Sequence, residues 1–237
     1  MLNPIWYHDE HSTLKRKDRA EIFHQLDFDI THRCNKNCPD CNLRISTSNF
    51  NDLKFYQYHY IVGQISDRTQ IKRIKLSGGE PLVHPYFHSI VNTMLNDFNN
   101  VSIRVLTNGK LLNTVQPALF NQLNWRISHY PGWNDDIIQK YNKYENVYIH
   151  PYSKEFKNPI VNLNISDEKA QTIREKCMFS VRIIGTDLYQ CCLSYQAEQN
   201  NNIGKVSTYI DKNWQTNWEN LPTWRACRYC LTACEHL

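Results

Sequence analysis

Three cysteines near the start of the chain have the types and spacing of metal ligands. Cys34, Cys38 and Cys41 form a C-x3-C-x2-C run within the 237 residues. Three thiolates at this spacing can fold around one face of a four-iron cluster, and they leave one iron open to a small molecule. A structural zinc site is the alternative, with His32 as a fourth ligand. The cysteine run alone does not separate a cluster from zinc.

Polar and glycine residues follow the next predicted strands. The second strand runs into the motif Ser77-Gly78-Gly79-Glu80-Pro81, the third ends before Asn108, and the fourth ends at Ser128. In parallel α/β folds, ligands bind beyond the carboxyl ends of the strands. We therefore expect these loops to meet the cysteine run at one site.

The cysteine run and the glycine motif together resemble the radical S-adenosylmethionine superfamily. Both have that family's spacing and stand at its positions after the first and second strands. The resemblance implies a 4Fe-4S cluster on the three cysteines and S-adenosylmethionine bound beside it. The residues that it assigns to the cofactor are Gly78, Gly79, Glu80, Asn108 and Ser128. Asp40 departs from the family pattern, which usually has an aromatic residue before the third cysteine.

The resemblance also assigns a role to each cofactor residue. Gly78 and Gly79 would let the backbone approach the methionine, and Glu80 would accept a hydrogen bond from its ammonium group. Asn108 and Ser128 would contact the ribose and the carboxylate. The implied chemistry is transfer of one electron from the reduced cluster to the sulfonium, which releases methionine and leaves a 5'-deoxyadenosyl radical. That radical takes a hydrogen atom from a substrate carbon.

Six cysteines remain after the first three, and they lie in the last third of the chain. They are Cys177, Cys191, Cys192, Cys227, Cys230 and Cys234. Their arrangement resembles a twitch domain, a shortened auxiliary-cluster extension related to the SPASM domain. The resemblance implies a second 4Fe-4S cluster on Cys177, Cys191, Cys227 and Cys230, with Cys192 and Cys234 as rival ligands. A zinc ribbon or inert core cysteines are the alternatives.

Alternating strands and helices predict how these residues are positioned. Strands are predicted at residues 26–30, 71–76, 101–106, 125–128 and 147–150, with helices at 51–65, 86–97, 111–123 and 134–144 between them. A helix from residue 167, a hairpin around the turn 185–187 that ends at 191, a loop at 199–213 and a helix at 218–227 follow. The fold class is α/β: a partial (β/α)6-type open barrel with a small C-terminal hairpin and helix extension. The predicted parts are an N-terminal segment 1–24, a core 25–166 and an auxiliary-cluster domain 167–237.

The resemblance favours a two-electron oxidation of a small molecule. Dehydrogenases that act on aminocyclitol alcohols share this compact plan, and the second cluster would accept the electron. His129, Tyr130 and His150, at later strand ends, are candidates for the catalytic base. A radical enzyme that modifies a peptide or a nucleic acid is one alternative, and a zinc-stabilised binding module is another.

The composition limits where the protein is expected in the cell and which partners it is expected to bind. The formal net charge of +4 gives no sign of a nucleic-acid groove, so nucleic acid is not expected as a partner. Neither a membrane-spanning run nor a secretory signal is evident, so we expect a cytoplasmic protein. The resemblance implies an electron donor such as flavodoxin or ferredoxin.

Overall fold

The computed structural model describes residues 25–38, 41, 43, 45, 48–65, 71, 73–98, 101–151, 163–176, 181–190, 193–200 and 203–229. The strands are β1 (Gln25–Thr31), β2 (Arg73–Gly78), β3 (Ser102–Thr107), β4 (Asn124–Ser128), β5 (Val147–His150), β6 (Val181–Ile184), β7 (Asp187–Tyr189) and β8 (Ser207–Tyr209). The α-helices are α1 (Phe55–Ile65), α2 (Phe87–Asp97), α3 (Pro117–Gln122), α4 (Asp135–Tyr141), α5 (Asp167–Lys176), α6 (Ser194–Asn200) and α7 (Trp214–Glu219). Short 3-10 helices lie at Pro81–Val83, Leu112–Thr114 and Thr223–Tyr229.

All of these strands belong to one open sheet. Its order is β5-β4-β3-β2-β1-β6-β7-β8. Neighbouring strands from β5 to β6 pair in parallel, and β7 and β8 are antiparallel additions. The predicted open α/β barrel is therefore confirmed. The predicted hairpin is also present, but its first strand pairs in parallel with β1 and so continues the barrel sheet.

Several predicted boundaries were wrong, and prolines explain two of them. The predicted helix at 111–123 is interrupted, because Pro117 suits the first turn of a new helix, α3. The predicted helix at 218–227 is likewise split, because Pro222 lies between α7 and the last 3-10 helix and cannot continue α7. Residues 51–54 precede α1 and are not helical, and the predicted loop at 199–213 contains β8.

The two faces of the sheet differ in polarity. Leu26, Phe28 and Ile30 of β1 are fully buried in the main hydrophobic core, together with residues of α1 and α2. Because side chains alternate along a strand, Asp27 and Asp29 lie on the opposite face. In register with them on that face are Lys75, Ser77, Arg104, Asn124 and Arg182. The face opposite the helices is therefore polar and charged.

A buried ion-pair network ties β1 to both of its neighbours on this polar face. Arg182 of β6 lies 3.0 Å from the Asp29 carboxylate and 4.0 Å from that of Asp27, which also pairs with Lys75 of β2. Burial alone would raise the pKa of Asp29. The Arg182 guanidinium and hydrogen bonds from His32 and Ser77 instead hold it below its usual value.

No helix in the described ranges combines the length and the apolar character needed to cross a bilayer.

Candidate cofactor site

The cysteine loop begins at the carboxyl end of β1, where polar side chains fix its direction. The Thr31 hydroxyl donates to the Asp52 carboxylate at 2.7 Å and accepts a hydrogen bond from the Arg33 amide at 3.0 Å. Arg33 then reaches Asp52 with Nε at 3.0 Å and the Val83 carbonyl with its guanidinium at 3.1 Å. The loop is thus held between the segment before α1 and the segment after β2.

Cys34, Cys38 and Cys41 are half-buried free thiols. Burial raises the pKa of Cys34 to about 11. The Lys36 amide opposes this shift, and the charges of Glu80 and the other two cysteines add to it. Burial also raises the pKa of Cys38. Metal binding requires the thiolate form, so a metal centre bound here would release these protons.

The donor set fits a cluster better than a zinc ion held with His32. The His32 ring contacts Asp29 through Nε2 at 3.1 Å and the Ser48 hydroxyl through Nδ1 at 2.5 Å, so both of its nitrogens are occupied. Without His32 the donor set is the three thiolates, and three ligands that leave one position open suit a 4Fe-4S cluster. Asp40 lies outside the described residues.

The glycine motif packs directly against the start of the cysteine loop. Gly79 N–H donates to the Thr31 carbonyl at 2.7 Å, and Glu80 N–H donates to the Arg33 carbonyl at 2.9 Å. A Cβ atom added at Gly78, where φ is +124°, would lie 2.0 Å from the Thr31 oxygen, and one at Gly79 would lie 2.2 Å from the Arg33 oxygen. Both positions therefore require glycine for packing, whatever their contact with a cofactor.

Glu80 is fully buried and joins the ends of β2 and β3. Its carboxylate accepts hydrogen bonds from Leu82 N at 3.1 Å, Thr107 Oγ1 at 2.7 Å and Asn108 N at 2.7 Å. Burial raises the pKa of Glu80 to about 7, although these three bonds oppose the shift. A carboxylate has about four acceptor positions, so one remains. The contact with the methionine ammonium stays a prediction.

Asn108 connects β3 to the cysteine loop. Its Oδ1 accepts a hydrogen bond from Lys110 N at 3.1 Å, as in a turn, and its Nδ2 donates to Asn35 Oδ1 at 2.7 Å. The second bond places this buried side chain beside the residue that follows Cys34. The structure thus brings Asn108 to the predicted site, and its contact with the cofactor stays a prediction.

Asn134 is a site residue that was missed in the sequence. It is fully buried, and its Nδ2 donates to the carbonyls of Asn108 and Ser128, each at 2.8 Å. Its Oδ1 accepts a hydrogen bond from Tyr130 N at 2.8 Å. An Asn just before a helix usually signals an N-cap, yet this side chain makes no cap bond to α4. No local pattern could have revealed that it joins β3 to β4.

The three base candidates have different surroundings. His129 Nε2 lies 2.7 Å from the Asp135 carboxylate at the start of α4. His150 Nδ1 lies 3.1 Å from the Arg126 guanidinium on the polar face. The Tyr130 ring lies 4.7 Å from Lys36 Nζ, and this contact brings Tyr130 to the cysteine loop. Ser128, at the end of β4, is tied to Asn108 through the Asn134 amide, which donates to the carbonyls of both residues.

The described part of the second cysteine group is Cys227. Its side chain is buried against Ala170 and Ile173 of α5 and against Leu193, which directly precedes α6. Cys177, Cys191, Cys192, Cys230 and Cys234 lie outside the described residues. The chain segments that lead to Cys177 and away from Cys192 nevertheless meet at Cys227.

No family model matches the chain. It is similar to the antilisterial bacteriocin subtilosin biosynthesis protein AlbA of Bacillus subtilis, with 32% identity over 85 residues, which cover 36% of this chain and 18% of AlbA. It is also similar to an S-adenosylmethionine-dependent nucleotide dehydratase of Selenomonas ruminantium, with 30% identity over 100 residues, 41% of this chain and 35% of that protein. Each match thus spans well under half of the relative's length.

Solved structures resemble the fold over most of the chain. BtrN in complex with AdoMet and 2-DOIA has a TM-score of 0.63 at 15% identity, covering 87% of this chain and 85% of BtrN. SuiB of Streptococcus suis bound to S-adenosylmethionine has a TM-score of 0.52 at 11% identity, covering 94% of this chain and 71% of SuiB. At these identities the likeness shows the fold alone, an open and mostly parallel α/β sheet.

Proposed function

The chain belongs to the radical S-adenosylmethionine superfamily, and we propose that it oxidises a polar small molecule by two electrons, with an auxiliary cluster as the electron acceptor. The observation that carries the proposal is the burial of Cys227 where α5, the residue before α6 and the last 3-10 helix meet. These are the segments that carry or adjoin the second group of cysteines. A second metal centre held there would accept the electron released by the substrate radical.

Cys34, Cys38 and Cys41 would hold the cluster that binds S-adenosylmethionine. Together these two cofactors would supply a 5'-deoxyadenosyl radical able to take a hydrogen atom from a substrate carbon. The protein's own residues would position the cofactors and the substrate. Glu80 and Asn134 lock the ends of β2, β3 and β4 together, so that the loops beside the cysteines keep one geometry.

The substrate class follows from the polar face of the sheet. Towards the carboxyl ends of β4 and β5 this face carries the half-buried side chains of Arg126 and His150. A substrate that lay against this end of the sheet would meet polar and charged groups, which suits a ligand rich in hydroxyl or amino groups. BtrN, whose structure was solved with AdoMet and 2-DOIA, supports a small-molecule ligand for this fold.

The second cluster would be held by Cys177, Cys191, Cys227 and Cys230. Four protein thiolates enclose a cluster fully, so it can carry an electron without binding substrate. The buried, largely apolar surroundings of Cys227 fit an electron-transfer centre that is shielded from water.

Among the base candidates we favour His129. The Asp135 carboxylate lies 2.7 Å from Nε2 and orients the ring, which leaves Nδ1 to face a substrate. His150 Nδ1, by contrast, already accepts a hydrogen bond from Arg126. A His129→Gln variant should therefore still consume S-adenosylmethionine but lose substrate oxidation. Normal oxidation in that variant would exclude His129 as the base.

The deciding experiment is anaerobic purification followed by turnover with a panel of aminocyclitols and sugar alcohols. The protein should be brown with about eight irons per chain, and the product should lack two hydrogen atoms relative to the substrate. Cys230→Ala should abolish product formation yet still form 5'-deoxyadenosine under dithionite. The matched control, Cys34→Ala, should lose both. Full product formation by Cys230→Ala would reject the electron-acceptor role.

A peptide substrate is the second candidate, because AlbA is named for the biosynthesis of a bacteriocin. Precursor peptides encoded beside the gene should therefore be tested as substrates together with the aminocyclitols and sugar alcohols. A modified peptide together with no reaction on any small molecule would replace the first proposal by this one. A colourless protein that contains zinc would reject both in favour of a binding module.

A further inference from the structure

The start of helix α6 lies beside the second cysteine group. In the sequence only Leu193 separates Cys192 from the first residue of this helix. Leu193 is buried in the same apolar cluster as Cys227, together with residues of α5. The start of α6 is therefore held against Cys227 by apolar packing.

The same end of α6 is hydrogen-bonded to the start of the first cysteine loop. The Tyr195 hydroxyl lies 2.9 Å from Ser48 Oγ, and Ser48 Oγ lies 2.5 Å from His32 Nδ1. The Tyr195 and His32 rings also meet edge to face, with their centroids 5.4 Å apart. Both side chains are buried, and His32 stands two residues before Cys34. Tyr195 thus connects α6 to the entrance of the first cysteine loop.

A second hydrogen bond joins α6 to the chain beyond the first cysteine run. Gln196 Nε2 donates to the carbonyl of Leu43, which stands two residues after Cys41. The Gln196 side chain is buried as well. Two adjacent residues of α6 therefore hold the segment that carries the first three cysteines on both of its sides.

The hydrogen bonds that start at Tyr195 end in the rigid part of the sheet. His32 Nε2 lies 3.1 Å from the Asp29 carboxylate, which also accepts hydrogen bonds from Ser77 at 2.7 Å and from Arg182 at 3.0 Å. The Asp29 end of this network is fixed by three partners on three different segments. A displacement of α6 would therefore act on Ser48 and the cysteine loop, and not on the sheet.

We infer that Tyr195 is a positioning residue that couples the two metal centres. A centre bound at Cys227 fixes the start of α6, and α6 in turn holds the first cysteine loop in the arrangement that binds iron. Two ligands that stabilise one shared element favour each other's binding, and the coupling is equal in both directions. This inference rests on the proposed function, because it needs a metal centre at each cysteine group.

The first test uses the metal-free full-length protein. Tyr195→Phe keeps the ring against His32 and removes only the hydroxyl. The amides of Phe50 and His32, which donate to Ser48 Oγ at 3.1 Å and to the Asn51 carbonyl at 2.7 Å, report on the connected segment. Their hydrogen–deuterium exchange should be about threefold to tenfold faster in the variant, as expected for the loss of one hydrogen bond. Exchange at the wild-type rate would overturn the inference.

The second test measures the coupling in the iron-loaded protein. Loss of iron from the first centre to a chelator is followed by the electron paramagnetic resonance signal that changes on addition of S-adenosylmethionine. Cys227→Ser, which removes a ligand of the second centre, should speed this loss by about fivefold or more in the wild-type background. In the Tyr195→Phe background the same change should speed it by under about threefold, because the connection is already weakened. A purely structural role of Tyr195 predicts equal acceleration in both backgrounds, and that result would overturn the inference.

Tyr141→Phe is the matched control. It removes a buried hydroxyl that donates to Asn113 Oδ1 at 3.0 Å, a contact between α4 and the segment before α3. Amide exchange at Phe50 and His32, and the effect of Cys227→Ser on iron loss, should equal those of the wild type. The two proposals fail in different ways. A chain that binds no iron at the second group contradicts the proposed function and the coupling with it, whereas two loaded centres that lose iron independently contradict the coupling alone.

Discussion

The Glu80 carboxylate accepts a hydrogen bond from the backbone amide of Asn108 at 2.7 Å, across the carboxyl ends of β2 and β3. The same two residues contact the cysteine loop, Glu80 through the Arg33 carbonyl and Asn108 through the Asn35 side chain. A continuous chain of hydrogen bonds therefore runs from the glycine motif to the neighbours of Cys34. Substitutions that break these hydrogen bonds should lower both the stability of the protein and its iron uptake.

The buried carboxyl of Glu80 predicts a pH dependence of stability. Because burial raises its pKa from 4.5 to about 7, the native protein keeps this proton at pH values where the unfolded chain has released it. The free energy of unfolding should therefore fall as the pH rises from 4.5 to about 7, by an amount on the order of 3 kcal/mol from this group. Urea unfolding of wild type and Glu80→Gln across this range isolates the effect, since other groups titrate alike in both. Parallel pH curves for the two proteins would contradict it.

Gly79→Ala should destabilise the protein and reduce its iron content. The added Cβ would lie 2.2 Å from the Arg33 oxygen, so the start of the cysteine loop must move. We expect a loss of about 1 to 3 kcal/mol, as for other overpacked sites. Gly63→Ala is the matched control: this exposed α1 position has open space around it and should gain roughly 0.5 to 1 kcal/mol. Equal iron contents in the two variants would count against the packing role of Gly79.

Asn134→Ala should be among the more costly single changes at the site. It removes three hydrogen bonds and leaves two carbonyl groups and one amide without this partner, which should cost about 2 to 4 kcal/mol in total. Chemical unfolding at pH 7 measures the loss. Asn142→Ala, at the exposed end of α4, serves as the control and should change stability by under about 0.5 kcal/mol. A comparable loss in both variants would argue against the joining role of Asn134.

Arg182→Met should destabilise the protein by about 3 to 5 kcal/mol at pH 7, because it leaves the buried Asp29 carboxylate without its cation. The pKa of Asp29 is held below 3.8 in the native protein, so its contribution is present at neutral pH and lost only as the pH falls below that value. In the variant the pKa of Asp29 should rise, and acid unfolding should begin at a higher pH. Acid unfolding of the variant at the wild-type pH would contradict this account.

The strands that carry the site were predictable, because alternation in β1 and in the following strands is a local signal. Leu26, Phe28 and Ile30 alternate with polar residues, and this pattern fixes both the strand and its buried face. The cysteine run and the glycine motif were predictable for the same reason, since their spacing is contiguous in the chain. The predicted metal ligands and cofactor contacts themselves remain predictions.

Long-range partners were not predictable. β8 has three residues within a polar stretch, and it exists because it pairs with β7, which no local periodicity reveals. The joining role of Asn134 depends on carbonyl groups of β3 and β4 that come together only in the folded sheet. The glycines were assigned to a ligand, whereas their close packing on Thr31 and Arg33 appears only in three dimensions.

The parallel pairing of β6 with β1 from Leu26 to Asp29 has a consequence for any attempt to shorten this protein. A fragment that ended at residue 166 would expose the backbone donors and acceptors of β1 along that side, and a bare strand edge recruits other chains. Such a fragment should aggregate during expression. The part of the chain that carries β6 is therefore needed to cover the edge of β1.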